Sequence, residues 1–146
     1  MGRIKDIADD LANKYKTRNP YELCKLLNIP ILFEPLGNIK GLFQNVLCTP
    51  IIHLNNSFSK DELKPVLAHE LGHALLHKEF NVCFLSNYTF CITDKYENEA
   101  NSFAAHLLIT DEDLNKFSTG YEYVTIEQLS SYFSVPEEFI MYKIRE

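Results

Sequence analysis

The chain lacks several features that would place it in a specialised class of protein. No apolar run approaches the roughly 20 residues of a membrane span, and the first residues contain no signal-peptide core. No run of basic residues occurs, and the net charge of −6 gives no general attraction to nucleic acid or to anionic membranes. These absences predict a cytoplasmic protein that neither spans a membrane nor binds nucleic acid directly.

The four cysteines also lack a recognisable spacing. Cys24, Cys48, Cys83 and Cys91 contain no C-x-x-C pair, so neither a zinc knuckle nor a redox pair is indicated. Cys83 and Cys91 could form a disulfide outside a cell, but a chain without an export signal should keep them reduced. We therefore expect free, buried thiols.

The length of 146 residues and the apolar content of 46% fit one globular domain with its own hydrophobic core. Periodicity and turn signals predict, for the first 55 residues, a helix from Ile4 to Tyr15, a helix capped by Asn19 that runs to about Leu27, and strands at 31–33, 42–44 and 50–54. Pro50 indicates that the third strand begins at, or lies near, a sheet edge.

The second half of the chain reads as mostly helical. Ser59 and Glu62 form a capping-box sequence before a long apolar helix, which Pro65 either opens or kinks and which should end near His77 or Lys78. Residues 79–93 are predicted to form a loop, which could include a short strand. The remaining predicted helices are one capped by Asp94 with the apolar stripe Ala100, Phe103, Ala104, Leu107 and Leu108, and three short ones starting at Thr110, Thr125 and Ser134.

The long apolar helix contains an H-E-x-x-H pentapeptide, residues 69–73. Residues four apart share one helix face, so His69 and His73 can reach the same metal ion. Glu70 is rotated by about 100° from His69, which leaves it free to take a proton from a water on the metal. The flanks are apolar on almost every side, whereas a surface helix with incidental histidines would be polar on one side. The pattern is typical of a zinc-dependent peptidase.

Catalytic zinc usually has three protein ligands and one open position. His77 lies roughly 12 Å beyond His69 along the same helix, too far to share the ion, and is expected to favour the negative end of the helix. The downstream helix offers Glu97, inside the apolar stripe, and Glu99, on the opposite border near solvent. A carboxylate within the stripe needs a partner, which favours Glu97 and leaves Glu99 as the alternative.

Other polar residues have less specific roles. Asn101, one turn after Glu97, is placed to orient a metal ligand by hydrogen bonding. An oxyanion donor is needed, and Tyr88, Tyr96 and His53 are candidates by residue type alone. His106 is expected to be an exposed helix residue.

Two segments together resemble the ImmA/IrrE metallopeptidases: A-H-E-L-G-H-A-L-L-H at 68–77 and E-N-E-A-N-S-F-A-A-H-L-L at 97–108. The resemblance covers most of the chain. It implies an α+β fold with a thermolysin-like zincin core, in which a small antiparallel sheet packs on the buried H-E-x-x-H helix beside a second ligand-bearing helix. One metallopeptidase domain would span 1–146, with N-terminal helices at 1–28, the sheet and zinc-site helices at 29–110 and a helical tail at 111–146.

The resemblance also implies a function. Members typically act inside bacteria or on mobile elements, where they cleave a helix-turn-helix repressor and so relieve repression. This chain would then bind one Zn²⁺ through His69, His73 and Glu97, with Glu70 as the general base. It departs from the family at Ile109-Thr110, where members often have Met-Pro, and in the long 79–93 loop near the expected substrate cleft.

Two other interpretations compete with the peptidase. In the first, the chain is a non-catalytic binding module, an anti-repressor or toxin–antitoxin partner in which zinc only joins two helices. Glu70 argues against it, because a structural zinc site needs no base and usually has four protein ligands. In the second, residues 126–136 form a DNA-binding helix-turn-helix. Lys143 and Arg145 are too few there, against four nearby glutamates, for strong phosphate binding.

Overall fold

A computed structural model describes residues 2–77 and 90–145. Within these residues the fold is α+β, with seven helices and a three-stranded sheet. The helices are α1 (Gly2–Tyr15), α2 (Pro20–Leu26), α3 (Lys60–Leu76), α4 (Phe90–Leu108), α5 (Asp111–Ser118), α6 (Ile126–Phe133) and α7 (Glu137–Ile144), and the strands are β1 (Ile31–Glu34), β2 (Gly41–Val46) and β3 (Thr49–Asn55). None of the described helices combines the length and apolar character of a membrane-crossing segment.

The sheet has the order β1-β3-β2 and is mixed, so the prediction of an antiparallel sheet is wrong. β2 and β3 are antiparallel, whereas β1 runs parallel to β3 with Ile31 opposite Ile52. Because the hairpin places β2 on one side of β3, β1 pairs with the other side. β3 is the middle strand of this sheet, so it does not lie at a sheet edge. Its start does agree with the prediction from Pro50, because Pro50 precedes the part of β3 that pairs with β1 and, among the described strands, lies opposite β2 alone.

The β2–β3 hairpin turns through Leu47 and Cys48, whose φ angles are 51° and 66°. Two consecutive residues with positive φ match the twist of the flanking strands in a two-residue turn. Cys48 is exposed at this tip, so the expectation of a buried thiol is wrong there, whereas Cys24 is buried. Alternation of polar and apolar residues identified the strands but not this turn, which has no glycine.

Local capping signals set the starts of four helices. Ser59 and Glu62 form the predicted capping box of α3, with each side chain bonded to the other residue's backbone N–H. Asn19, Thr110 and Thr125 likewise accept backbone hydrogen bonds at the starts of α2, α5 and α6. α3 begins at Lys60 and continues through Pro65, so this proline lies inside the helix. The helix ends at Leu76, as predicted.

Two predicted helix starts are wrong. α4 begins at Phe90, so Asp94 is an exposed residue within the helix rather than its cap, and 90–93 of the predicted loop are helical. Residues 79–89 of that loop lie outside the described part of the chain. Ser134 ends α6 in the left-handed conformation, with φ of 56°, while α7 begins after Pro136. Both predictions relied on an aspartate or serine three residues before a glutamate. This pattern also occurs within helices and at their ends, so on its own it gave the wrong start for α4 and for α7.

Helix α3 lies at the centre of the hydrophobic core. One side of α3 packs on β2 and β3, and the other packs on α4, which is itself covered by α1 and α7. The fully buried side chains at these contacts include Phe43 and Ile52 from the sheet, Leu67 and Leu71 from α3, and Phe103, Ala104 and Leu107 from α4. The H-E-x-x-H sequence therefore lies on an element with packing on two sides.

Candidate metal centre

Three side chains from α3 and α4 bring their ligand atoms together. Nε2 of His69 lies 3.2 Å from Nε2 of His73. The Glu97 carboxylate spans both rings, with Oε2 2.8 Å from His69 Nε2 and Oε1 3.2 Å from His73 Nε2. Tetrahedral zinc with bonds of about 2.0–2.1 Å places its ligand atoms about 3.3 Å apart. The two imidazoles and the carboxylate therefore fit one zinc ion.

The close approach of α3 and α4 makes this cluster possible. His69 and His73 are one turn apart on α3, and Glu97 is three residues before Ala100 on α4. Gly72 faces Ala100 so closely that a Cβ at Gly72 would lie 3.1 Å from both the Cα and the carbonyl oxygen of Ala100. The missing side chain at Gly72 thus lets the backbone of α4 approach and carry Glu97 to the two histidines.

The cluster favours the metal-binding protonation states of Glu97 and His73, whereas at His69 it favours the protonated ring, with which a metal ion would compete. Burial alone would raise the pKa of Glu97, but hydrogen bonds from His69 and His73 bring that pKa well below its usual range. Burial lowers the pKa of His73. Burial also acts to lower the pKa of His69, yet the neighbouring Glu97 and Glu70 carboxylates raise it overall. An ionised Glu97 and a neutral His73 are the forms that a divalent metal requires.

Glu70 adds a proton-accepting group to the cluster. Its side chain is buried, with 7% of the residue exposed. Burial raises the pKa of the Glu70 carboxyl to about 7, with His69 acting to lower it and Glu97 to raise it. A carboxylate with a pKa near neutrality can both accept and return a proton.

The two candidate glutamates, Glu97 and Glu99, contact different residues. Glu97 joins His69 and His73, whereas the half-buried Glu99 lies 3.1 Å from Nε2 of His77 and 3.7 Å from Arg3. The geometry therefore favours Glu97 as a metal ligand.

Two further polar residues of α4, Asn101 and His106, can be compared with their predicted environments. Asn101 Oδ1 lies 2.6 Å from His69 Nδ1, the contact that its position in the sequence predicts. His106, expected to be exposed, is instead buried at 1% exposure, and Arg18 donates a hydrogen bond to its backbone oxygen. α1 and α7 cover the side of α4 that its sequence alone would leave to solvent.

Comparison with known sequences identifies the family. The sequence profile of the IrrE N-terminal-like domain matches residues 24–145. The chain belongs to the ImmA/IrrE metallopeptidase family. It is 34% identical to the metallopeptidase ImmA of Bacillus subtilis strain 168 over 145 residues, which cover 98% of this chain and 85% of that protein. It is 35% identical to the uncharacterized immunity region protein 2 of Bacillus phage phi105 over 136 residues, 92% of this chain and 85% of that protein.

A solved structure shares the fold. A Mycobacterium tuberculosis transcriptional regulator matches with a TM-score of 0.66 and 13% sequence identity. The match covers 98% of this chain and 55% of the regulator, so the chain spans about half the length of that protein. At this identity the likeness concerns the fold alone. Membership of a metallopeptidase family implies a metal ion, and the residues His69, His73 and Glu97 could hold it.

Of the candidate oxyanion donors that the structure describes, His53 lies away from the cluster and Tyr96 contacts His77. His53 lies on the face of β3 opposite Ile52 and Leu54, where its ring contacts Glu34 and Gln44, so it points away from α3. The ring of Tyr96 packs on His77, with centroids 4.4 Å apart. Tyr88 lies outside the described residues.

A cavity of about 300 Å³ opens beside the cluster. Residues from α3, α4 and the tail line it together: Pro65, Val66, His69, Glu97, Asn101, Pro136, Glu138 and Phe139. The contribution of the tail was not predicted, because no local pattern shows that the α7 segment returns to α3. The cavity has room for an amino-acid side chain next to His69 and Glu97.

Proposed function

We propose that this member of the ImmA/IrrE family is a zinc-dependent endopeptidase. The observation that carries the proposal is the cluster of His69, His73 and Glu97 with the buried Glu70 beside it. Two imidazoles and one carboxylate leave a fourth tetrahedral position open, which is the arrangement of catalytic zinc sites. One zinc per chain and a thermolysin-like placement of the two ligand-bearing helices are parts of this proposal.

The side chains divide the chemistry of peptide hydrolysis among them. A bound zinc ion supplies a Lewis acid that polarises the scissile carbonyl and acidifies water. Glu70 accepts a proton as the water oxygen attacks the carbonyl carbon, and then delivers it to the amine nitrogen as the C–N bond breaks. Asn101 accepts a hydrogen bond from Nδ1 of His69 and so keeps Nε2 of that ring directed at the cluster.

The proposed substrate is a helix-turn-helix repressor, as the family resemblance implies. The phage relative is named as an immunity region protein, and the net charge of −6 complements a basic DNA-binding protein. Nucleic acid itself is a poorer candidate. Lys143, one of the few basic residues in the tail, is buried and pairs with Asp111 at 2.8 Å, so its ammonium is not presented to phosphate.

Replacement of the base separates an enzyme from a zinc-stabilised binding module. Glu70→Gln keeps the shape of the side chain but removes the proton acceptor, so we expect normal zinc content and circular dichroism with loss of cleavage. The exposed Glu127→Gln serves as the control and should cleave like the wild type. If Glu70→Gln retains full proteolysis, Glu70 is not the base. If the zinc-loaded wild type binds the repressor without cutting it, the binding-module interpretation is correct.

A second assay addresses the substrate class. The zinc-loaded chain is incubated with the repressor encoded beside its gene and, separately, with unfolded casein. We expect cleavage of the repressor at one or a few accessible segments, and binding that weakens as salt is raised. Rapid digestion of casein with an intact repressor would reject the regulatory role and leave a general peptidase.

A further inference from the structure

The side chains of His77 and Glu99 form a row of contacts that begins at His73, on the side of its ring away from the cluster. Nδ1 of His73 lies 3.0 Å from Nδ1 of His77, and Nε2 of His77 lies 3.1 Å from Oε1 of Glu99. The side chains of His73 and His77 are 1% and 2% exposed, and that of Glu99 is 22% exposed. The row therefore runs from the buried cluster to a carboxylate that is within reach of solvent.

The donor and acceptor roles in this row follow from the orientation of His73. Nε2 of His73 faces His69 and Glu97, so its lone pair points to the metal position and its ring proton must reside on Nδ1. That N–H can donate to Nδ1 of His77 only if this atom has no proton. A neutral His77 then has its proton on Nε2, where it donates to the Glu99 carboxylate. With Nε2 of His73 directed at a metal ion, this arrangement of protons satisfies both contacts of the row.

We propose that His77 and Glu99 are positioning residues that hold His73 in the tautomer and ring orientation required for metal binding. This inference rests on the proposed metal site. Hydrogen bonds from the second nitrogen of a ligating histidine commonly fix its orientation and increase its basicity. His69 receives this support from the amide of Asn101. His73 receives it from His77, with the negative charge of Glu99 one side chain further away.

The surrounding structure holds His77 in place for this role. It is the C-terminal cap of α3, and its backbone N–H donates to the carbonyl of His73 at 2.8 Å. The ring of Tyr96 also packs against His77, with centroids 4.4 Å apart. His77 is two turns from His69, too far to share its ion, but one turn from His73, which is the distance for contact between side chains. The position of His77, four residues after His73, thus suits contact with the proposed metal ligand His73 rather than direct binding of the metal.

Zinc affinity of the full-length chain tests the proposal. The Zn²⁺ dissociation constant is measured by competition with a chelating indicator for wild type, His77→Phe and His77→Gln. Phenylalanine keeps a buried ring but cannot exchange hydrogen bonds, so we expect affinity to fall by about 10–100-fold. Glutamine keeps one acceptor and one donor and should recover most of the loss. The visible spectrum of the Co²⁺-substituted protein should shift in His77→Phe and return towards wild type in His77→Gln.

Two controls separate this effect from damage to the core. His106→Gln alters another buried histidine, on α4, and Arg3→Ala removes the other partner of Glu99; both should bind Zn²⁺ like the wild type. If His77→Phe does not fold, Glu99→Gln at its half-buried position provides the test, with an expected loss of about 10-fold.

The results that would overturn the proposal are distinct from failure of the metal site. A folded His77→Phe variant with wild-type affinity and Co²⁺ spectrum would overturn it, as would equal losses in His77→Phe and His77→Gln. Wild-type affinity in Glu99→Gln would remove Glu99 from the role. If the wild type itself binds no Zn²⁺, the proposed function fails first and this inference fails with it.

Discussion

At the scale of single residues, two glutamates on one helix differ in what they contact. Glu97 and Glu99 are separated by about 200° around α4, and only Glu97 reaches both metal-site histidines. Glu99 instead contacts His77 and Arg3. Their side chains have the same chemistry, so the contacts alone should decide the effect of replacing each one.

Replacement of Glu97 should therefore remove more zinc than replacement of Glu99. Glu97→Ala deletes a proposed direct ligand, and we expect affinity to fall by more than about 100-fold, beyond the range usual for an outer hydrogen-bond partner. Glu99→Ala should retain more metal. Elemental analysis after dialysis against a weak chelator measures both. A greater loss in Glu99→Ala would show that the ligand assignment is reversed.

The residues of the site were predictable where the relation between them is local. The grouping of His69, Glu70 and His73 follows from spacing within one turn. The position of Asn101, one turn after Glu97, predicted a role in orienting a ligand but not which ligand, and its partner proved to be His69 on α3. The contact of His77 with Glu99 depends on packing between helices whose relevant residues are 22 apart in sequence. Helical phase placed Glu99 at the border of the apolar stripe, but it could not show which buried group would meet it there.

At the scale of elements, the approach of α3 to α4 determines whether the cluster can form. Gly72→Ala would place a methyl group 3.1 Å from the backbone of Ala100 and 3.2 Å from the ring of Phe103. Overpacking of this kind typically destabilises by about 1–3 kcal/mol, partly offset by the better helix propensity of alanine, about 1 kcal/mol. We expect a net loss of about 1 kcal/mol and weaker zinc binding, because α4 carries Glu97.

Gly2→Ala provides the matched control. Gly2 also lies in a helix, α1, but an added Cβ there would meet no atom within 4 Å. This variant should be neutral or slightly more stable. Urea unfolding of the metal-free proteins and zinc titration measure both effects. Equal stability and equal zinc affinity in Gly72→Ala and wild type would show that α3 and α4 can separate without loss.

Element boundaries were predictable where side chains bond to the backbone. Ser59, Asn19, Thr110 and Thr125 start helices through such bonds, and these starts agree with the sequence. Sheet order was not predictable, because apolar alternation is the same whichever strands pair. The position of β1 beside β3 depends on which side of β3 remains available once the hairpin has formed.

At the scale of the whole molecule, one buried ammonium connects the tail to the N-terminal helix. The side chain of Lys143 is 4% exposed, with Nζ 2.8 Å from Asp111 and 3.4 Å from Nδ1 of His106. Asp111 also lies 3.5 Å from Lys5 in α1. The hydrogen bond from Lys143 is the largest cause of a lowered Asp111 pKa, and partial burial opposes it. The position of α7, which lines the cavity beside His69 and Glu97, thus depends partly on Asp111.

The lowered pKa of Asp111 predicts an acid-dependent loss of stability. Between its folded pKa and its ordinary value of 3.8, the folded state binds fewer protons than the unfolded state. The stabilisation is therefore complete above that ordinary value and is lost as pH falls through the folded pKa. Asp111→Asn leaves Lys143 without its carboxylate partner. Because the Asp111 side chain is 64% exposed and solvent screens its charge, we expect a loss of about 1–2 kcal/mol in the free energy of unfolding near neutral pH.

Urea unfolding of wild type and Asp111→Asn from about pH 7 to about pH 2.5 tests this dependence, because protonation of Asp111 in the wild type should make the two proteins converge at low pH. Glu112→Gln is the control in the same first turn of α5, where it loses a similar interaction with the helix dipole. Its side chain is 77% exposed and pairs only with Lys116 among the described residues, so its effect should remain below about 1 kcal/mol. A difference between wild type and Asp111→Asn that stays constant over the whole pH range would show that the substitution acts through packing, and that the charge of Asp111 does not hold α7 in place.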